Sequence, residues 1–276
     1  MALFAGRERQ NVLRWLKKGD VRLLLPADPG PEQMLEYIRQ WFDPRARLKS
    51  HGVINVDGMR EVNLSGAYPI DPDLAAEAGI PDGLDVAYFV GKTTRAQPYS
   101  LSDIQRKDSE QVDMSFRLVR GLAIRLGGLA HPHDQPAVAE PLRATVYTSR
   151  EISAYDVREI AGKFAPGLIP YDNPTFGPVG VSFWKTGDGQ LELSHWPKGT
   201  VAVLLPHEPR SVGDLFFHTN DSTAVRLELS TPGNETDPRT ARLLGECALE
   251  IAGAAGGPCV DQLGFRVTRP GDLVFG

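Results

Sequence analysis

Cysteine is nearly absent from this chain, with two residues, Cys247 and Cys259, in 276. Two thiols cannot build the disulfide framework of a small secreted scaffold, and their spacing matches no zinc site. Both have apolar neighbours, where cysteine serves as a small buried hydrophobe in a reducing compartment. Long apolar runs are absent as well, since no stretch approaches the length of a membrane-spanning helix. The opening MALFAGRERQNVLRWLKKGD lacks the apolar core and cleavage site of a signal peptide, so the cytoplasm is the expected location. Positive charge is in short supply. The chain has 30 Lys and Arg against 35 Asp and Glu, a net charge of −5. That balance makes nucleic acid a less expected partner than protein, although a local basic patch remains compatible with it. Catalytic signatures are missing too. There is no Gly-x-Ser-x-Gly elbow, phosphate loop, dinucleotide Gly-x-Gly-x-x-Gly or His-Glu-x-x-His. The expectation is therefore a protein with no cofactor, no metal site and no membrane span.

What is present is a repeated grammar. Arg242 to Val267, RLLGECALEIAGAAGGPCVDQLGFRV, reads as a buried helix, a Gly-Gly stop and a strand. Leu243, Leu244, Cys247, Ala248, Ile251 and Ala255 recur at helical spacing. Asp237 and Pro238 supply a cap and a first-turn proline, and Gly256-Gly257 ends the helix. The same pattern stands earlier in Arg117 to Asp134, with Phe116, Val119, Leu122, Ala123 and Leu126 on one face before Gly127-Gly128. Aligning Arg117 with Arg242 places Ala123 on Ala248 and puts Arg125 and Glu250 on the outer face.

The intervening elements repeat as well. In the first half, Val21 to Leu25 reads as a strand and Glu32 to Phe42 as a helix. Val53–Val56 and Glu61–Leu64 flank an Asp57-Gly58 hairpin turn. Tyr68 to Gly83 reads as irregular, with one helical turn near Leu74 to Ala78. Leu84 to Val90 is a strand, and 92–110 a long loop. In the second half, Ala144 to Thr148 is a strand and Ser153 caps a helix ending at Pro166-Gly167. Val179–Trp184 and Leu191–Trp196 form a hairpin around Thr186 to Gly189, with further strands at Val201–Leu205, Ala224–Leu229 and Cys259–Val267. Each half thus runs strand, helix, strands, helix, strand, the split β-α-β order. The expected fold is α+β: two ferredoxin-like units in tandem, with mostly antiparallel sheets and helices on one face. The expected divisions are an N-terminal helix over 1–19, a first unit over 20–133, a linker over 134–142 and a second unit over 143–276.

The alanine-rich helix, Gly-Gly and short strand with Asp261 and Gly264-Phe265 resemble uncharacterised bacterial α+β families, some of them neighbours of toxin–immunity systems. Those families carry no catalytic motif to transfer. At fold level the chain also resembles the tandem ferredoxin-like RNA endonucleases of CRISPR systems, which have a glycine-rich loop near the C-terminus and a basic RNA face. Here GFRVTRPGDLVFG spreads Gly264, Gly271 and Gly276 apart, and the chain is acidic.

Few residues offer chemistry. His131-Pro-His133 could place two imidazoles on one side of an extended segment, but no third ligand stands nearby and a solvated linker explains both. His218 to Asp221 pairs a base with a carboxylate, in a setting that ordinary turn chemistry also explains. His195 beside Trp196 reads as a packed strand-end residue, and His51 and His207 are isolated. Lys92, Arg95, Arg106 and Lys107, on and beside a loop, suit an acidic protein surface or RNA phosphate, or a solvated loop. The expected function is a non-catalytic cytoplasmic binding protein with a protein partner. The alternative is an RNA-binding protein or metal-independent RNA endonuclease using a histidine as acid and base.

Overall fold

The computed structural model describes residues 2–17, 21–57, 62–92, 97–98, 109–131, 141–173, 180–200, 222–232 and 236–273. They form an α+β protein with six α-helices and two antiparallel sheets, arranged in two units, Met1–Ala137 and Val138–Gly276.

The first unit contains α1 (Ala2–Lys17), β1 (Arg22–Leu25), α2 (Pro31–Trp41), β2 (Arg47–Leu48), β3 (Ile54–Asp57) and β4 (Val62–Pro69). These are followed by α3 (Pro72–Ala78), β5 (Val86–Lys92), β6 (Gln97–Pro98), α4 (Ser109–Leu126) and β7 (Leu129–His131). The sheet runs β2-β3-β4-β5-β1-β7, with β6 paired to β5. Strand alternation divides β1 between two layers. Leu24, with Ala87 and Phe89 of β5, packs against Val12 and Leu16 of α1 and Leu74 of α3. Leu23 and Leu25 turn to the other face, where α2 and α4 bury Met34, Ile38, Leu118 and Leu122. The N-terminal helix is therefore part of this unit. Trp15 meets Tyr68 and Phe89 edge-on at 5.5 and 5.2 Å. The buried Arg22 guanidinium donates to the carbonyls of Trp15 and Leu16, closing the C-terminal end of α1.

The second unit contains β8 (Pro141–Thr148), α5 (Ala154–Phe164), β9 (Ile169–Pro170), β10 (Ser182–Lys185), β11 (Leu191–Trp196) and β12 (Thr223–Pro232). It continues with α6 (Pro238–Ala255), β13 (Cys259–Asp261), β14 (Arg266–Val267) and a 3₁₀ turn at Pro270–Leu273. The sheet runs β14-β13-β8-β12-β11-β10-β9. Its main core gathers Ala144 and Val146 of β8, Val225 and Leu227 of β12, Val157 of α5 and Ala248 and Ile251 of α6. Asp237 caps α6 by accepting from the Thr240 N–H at 3.1 Å.

The double glycines do two jobs each. Gly127 (φ 66) and Gly256 (φ 68) take the left-handed conformation just after a helix. The second glycine lets the chain pass against the first strand of its unit. A Cβ at Gly128 would stand 2.2 Å from the Leu24 carbonyl oxygen, and one at Gly257 1.8 Å from that of Tyr147. If the two glycine contacts are matched instead of Arg117 and Arg242, the helices shift by one turn, placing Ala123 with Ala252 and Val119 with Ala248.

Other local expectations are revised. β4 continues through Tyr68 and Pro69, and α3 is a complete helix with an Asp71 cap and a Gly79 stop. Gly66 reads as a strand breaker, yet it sits inside β4 because the Tyr88 ring lies where its Cβ would be, at 2.5 Å. Arg125 is half-buried, with its guanidinium 6.0 Å from the Trp41 ring, rather than on a free outer face. The strand expected at Val201–Leu205 lies outside the described residues.

Candidate functional site

Most chemistry-bearing residues named from the sequence lie where geometry is not described. His133, His218, Asp221, Arg95, Arg106 and Lys107 fall outside the described residues. His131 ends β7 opposite Arg22, and Lys92 ends β5 opposite Gln97, with only their backbone positions described. Among the described residues, no group of three or more His, Cys, Asp or Glu is placed to hold a metal ion. Nor is any helix among them long and apolar enough to cross a membrane.

Three polar groupings are visible, and each has a packing role. His195 is buried in β11, with its Nε2 donating to the Ile152 carbonyl at 2.8 Å. Burial pushes its pKa below the usual 6.5, partly offset by that carbonyl, so the ring packs as neutral imidazole. Tyr88 donates to the Asp28 carboxylate at 2.5 Å and holds the β1–α2 loop. Burial, reinforced by Asp28, pushes the phenol's pKa well up. On the sheet face of the second unit away from α5 and α6, Glu192 and Glu228 are direct cross-strand neighbours. Paired carboxylates can serve acid–base chemistry, but Glu228 is engaged by both Arg143 and Arg226, and Lys185 stands opposite Glu192. The arrangement is a cross-strand charge network.

A concave feature among the described residues lies at one end of the second unit. The end of α5, the start of α6 and the β10–β11 turn enclose a cleft of about 340 Å³, large enough for a small ligand or a single side chain. Its floor is Leu229 of β12 with Leu244 and Cys247 of α6, all buried. Phe164 and Leu191 form half-buried walls. Leu243 stands at the mouth at 41% exposure, one of four exposed large apolar side chains among the described residues. Thr186, Asp188, Gln190 and Thr240 form the polar part of the lining.

The local sequence explains each wall. Pro166 and Gly167 follow α5, so the helix stops beside Phe164 and leaves the space beyond it open. The turn is drawn tight by Asp188, whose carboxylate accepts from the Thr186 hydroxyl and the Gln190 N–H. The Thr186 hydrogen bond, aided by that N–H, holds the Asp188 pKa below the usual carboxylate range. α6 contributes Thr240, Leu243, Leu244 and Cys247, a stripe at helical spacing.

Sequence reading placed Leu243 on the buried face, but adjacent residues on a helix differ by about 100° in direction. Leu244 takes the core, and Leu243 is left at its margin. The doubled leucine was the available signal, an apolar stripe wider than packing required. Cys247 is buried as expected, and burial pushes its thiol pKa up to about 12.

No family model, curated protein or solved structure matches the chain.

Proposed function

We propose that this chain is a non-catalytic, cytoplasmic binding protein, built as two tandem ferredoxin-like units, that holds a protein partner through the cleft of its second unit. Strand order supports the duplication. From the last strand inward, β7-β1-β5-β4-β3-β2 and β13-β8-β12-β11-β10-β9 have the same order, both all-antiparallel, with β14 the extra strand of the second unit. In each, the first four strands of that order, β7-β1-β5-β4 and β13-β8-β12-β11, follow the split β-α-β arrangement. Register supports it independently. The glycine contacts equate Leu24 with Tyr147, and the pairings then equate Ala87 with Ala224 and Tyr68 with Trp196. Both alanines are fully buried, and each faces an aromatic residue on the neighbouring strand. The bacterial families resembled by the Gly-Gly tract fit the same reading. Two buried, unpaired cysteines suit a reducing compartment.

The observation that carries the binding function is the cleft: an apolar floor, an exposed Leu243 at its mouth and a polar rim. That combination is how an interface anchor pocket is built. Burying one aliphatic side chain there contributes about 1.5–3 kcal/mol, so the cleft fits a modest, reversible association unless flanking contacts add to it.

The test is retention on immobilised wild-type protein and on Leu243→Asp, scored for bound protein and bound RNA. The expected result is a protein retained by the wild type and lost by the variant. RNA retained equally by both would support the RNA-binding or RNA-cleaving alternative and overturn this reading.

A further inference from the structure

We infer that the segment entering the cleft is basic: a partner peptide that seats one apolar side chain and carries lysine or arginine beside it. This rests on the binding role proposed for the cleft and specifies its ligand. Charge is unevenly divided between the units. Residues 1–137 contain 18 Lys and Arg and 18 Asp and Glu, whereas 138–276 contain 12 and 17, so the whole net charge of −5 falls on the unit with the cleft.

The charge at the cleft has the same sign. Among the described residues that line it, Asp188 is the one charged residue, and it is held at the lip by Thr186 and Gln190. Of the cations adjacent in sequence to lining residues, Lys163 pairs with Glu250 and Arg242 with Glu246, at 2.9 and 3.2 Å, while Lys185 lies over the Tyr171 ring at 5.1 Å and opposite Glu192. Arg239 is exposed on the first turn of α6, next to the Asp237 cap, and those two charges offset each other. A cationic segment is thus drawn to this unit at long range and finds a fixed carboxylate beside an apolar pocket. An acidic segment, or nucleic acid, meets the opposite field.

The experiment is an amide-shift NMR titration of the full-length ¹⁵N-labelled protein with two acetylated pentapeptides. One has leucine between pairs of lysines, and the other has leucine between pairs of glutamates. The basic peptide is expected to shift the amides of Phe164, Ala165, 186–191 and 240–247, and the acidic one to leave them unmoved. Binding should weaken as salt rises from about 0.01 to about 0.15 M, while the Debye length contracts from about 30 to about 8 Å. Asp188→Asn keeps the turn's hydrogen bonds and should weaken the basic peptide about two- to fivefold. Leu243→Asp should weaken it by about tenfold or more. Equal binding of both peptides in the cleft, lost with Leu243→Asp but unchanged by Asp188→Asn or salt, would overturn the basic specificity and leave the binding role standing. Shifts confined to other segments would overturn both.

Discussion

Single residues show how little freedom the helix–strand junctions have. At Gly257 a methyl group would collide with the Tyr147 carbonyl, which is backbone and cannot step aside. Gly257→Ala should therefore cost about 3 kcal/mol or more, at the upper end of overpacking penalties. Gly253, exposed on the same helix with nothing near its missing Cβ, should behave oppositely. Gly253→Ala should gain about 0.5–1 kcal/mol from helix propensity. Denaturant midpoints of the two variants check both. His195 gives a pH signature. Its pKa is lowered in the folded protein by burial, so near pH 6.5 the unfolded chain binds a proton that the folded chain refuses. Its contribution to stability is complete above that pH and declines as pH falls through the lower folded value. Unfolding midpoints measured from pH 7.5 downward should drop below about 6.5, and His195→Gln should flatten that part of the curve. An unchanged curve in the variant would assign the acid sensitivity to other groups. The two thiols should react slowly in the native protein, because burial raises both pKa values and little thiolate forms. Rapid labelling without denaturant would contradict the core packing.

At the scale of elements, helix packing explains which substitutions matter. Ala248 is fully buried, and Ala123 nearly so. Replacing either with Leu should cost about 1–3 kcal/mol. Glu250 is exposed and pairs with the exposed Lys163, so Glu250→Ala should stay within about 0.5 kcal/mol. Arg125→Ala should cost about 0.5–2 kcal/mol, because its guanidinium stacks on Trp41. Thermal or chemical unfolding of these four variants separates helices buried on one face from helices merely present. The elements legible in the sequence are those whose signals are local: Asp237-Pro238 at the start of α6, Gly256 at its end, and the apolar run in β1. The elements misjudged depend on distant partners. β4 tolerates Gly66 because Tyr88, on the next strand, needs the space. α3 is stabilised by α1, through Arg9 with Asp71 and Lys17 with Glu77. Its own Asp71-Pro72 start and Gly79 stop were local signals, obscured by the other Pro, Asp and Gly residues around them.

For the whole molecule, the α+β class with antiparallel sheets was readable and the site was not. The order of elements along the chain follows from hydrophobic pattern and punctuation, which are local signals. The cleft is formed by residues near 165, 188 and 243, which have no common motif because nothing but the fold brings them together. Its apolar lining looks like core in the sequence until Leu243 proves exposed. If the duplication holds, an experimental structure should superpose β1, β4, β5, β7 and α4 on β8, β11, β12, β13 and α6 with Gly128 on Gly257. A different strand order in either unit would refute it. The binding role is tested most directly by hydrogen exchange of the full chain, with and without the protein it retains. Protection should concentrate on Phe164, Ala165, 186–191 and 240–247 and disappear with Leu243→Asp. Protection confined to other segments, such as the Lys92 to Lys107 stretch, with the cleft unchanged, would contradict the proposal.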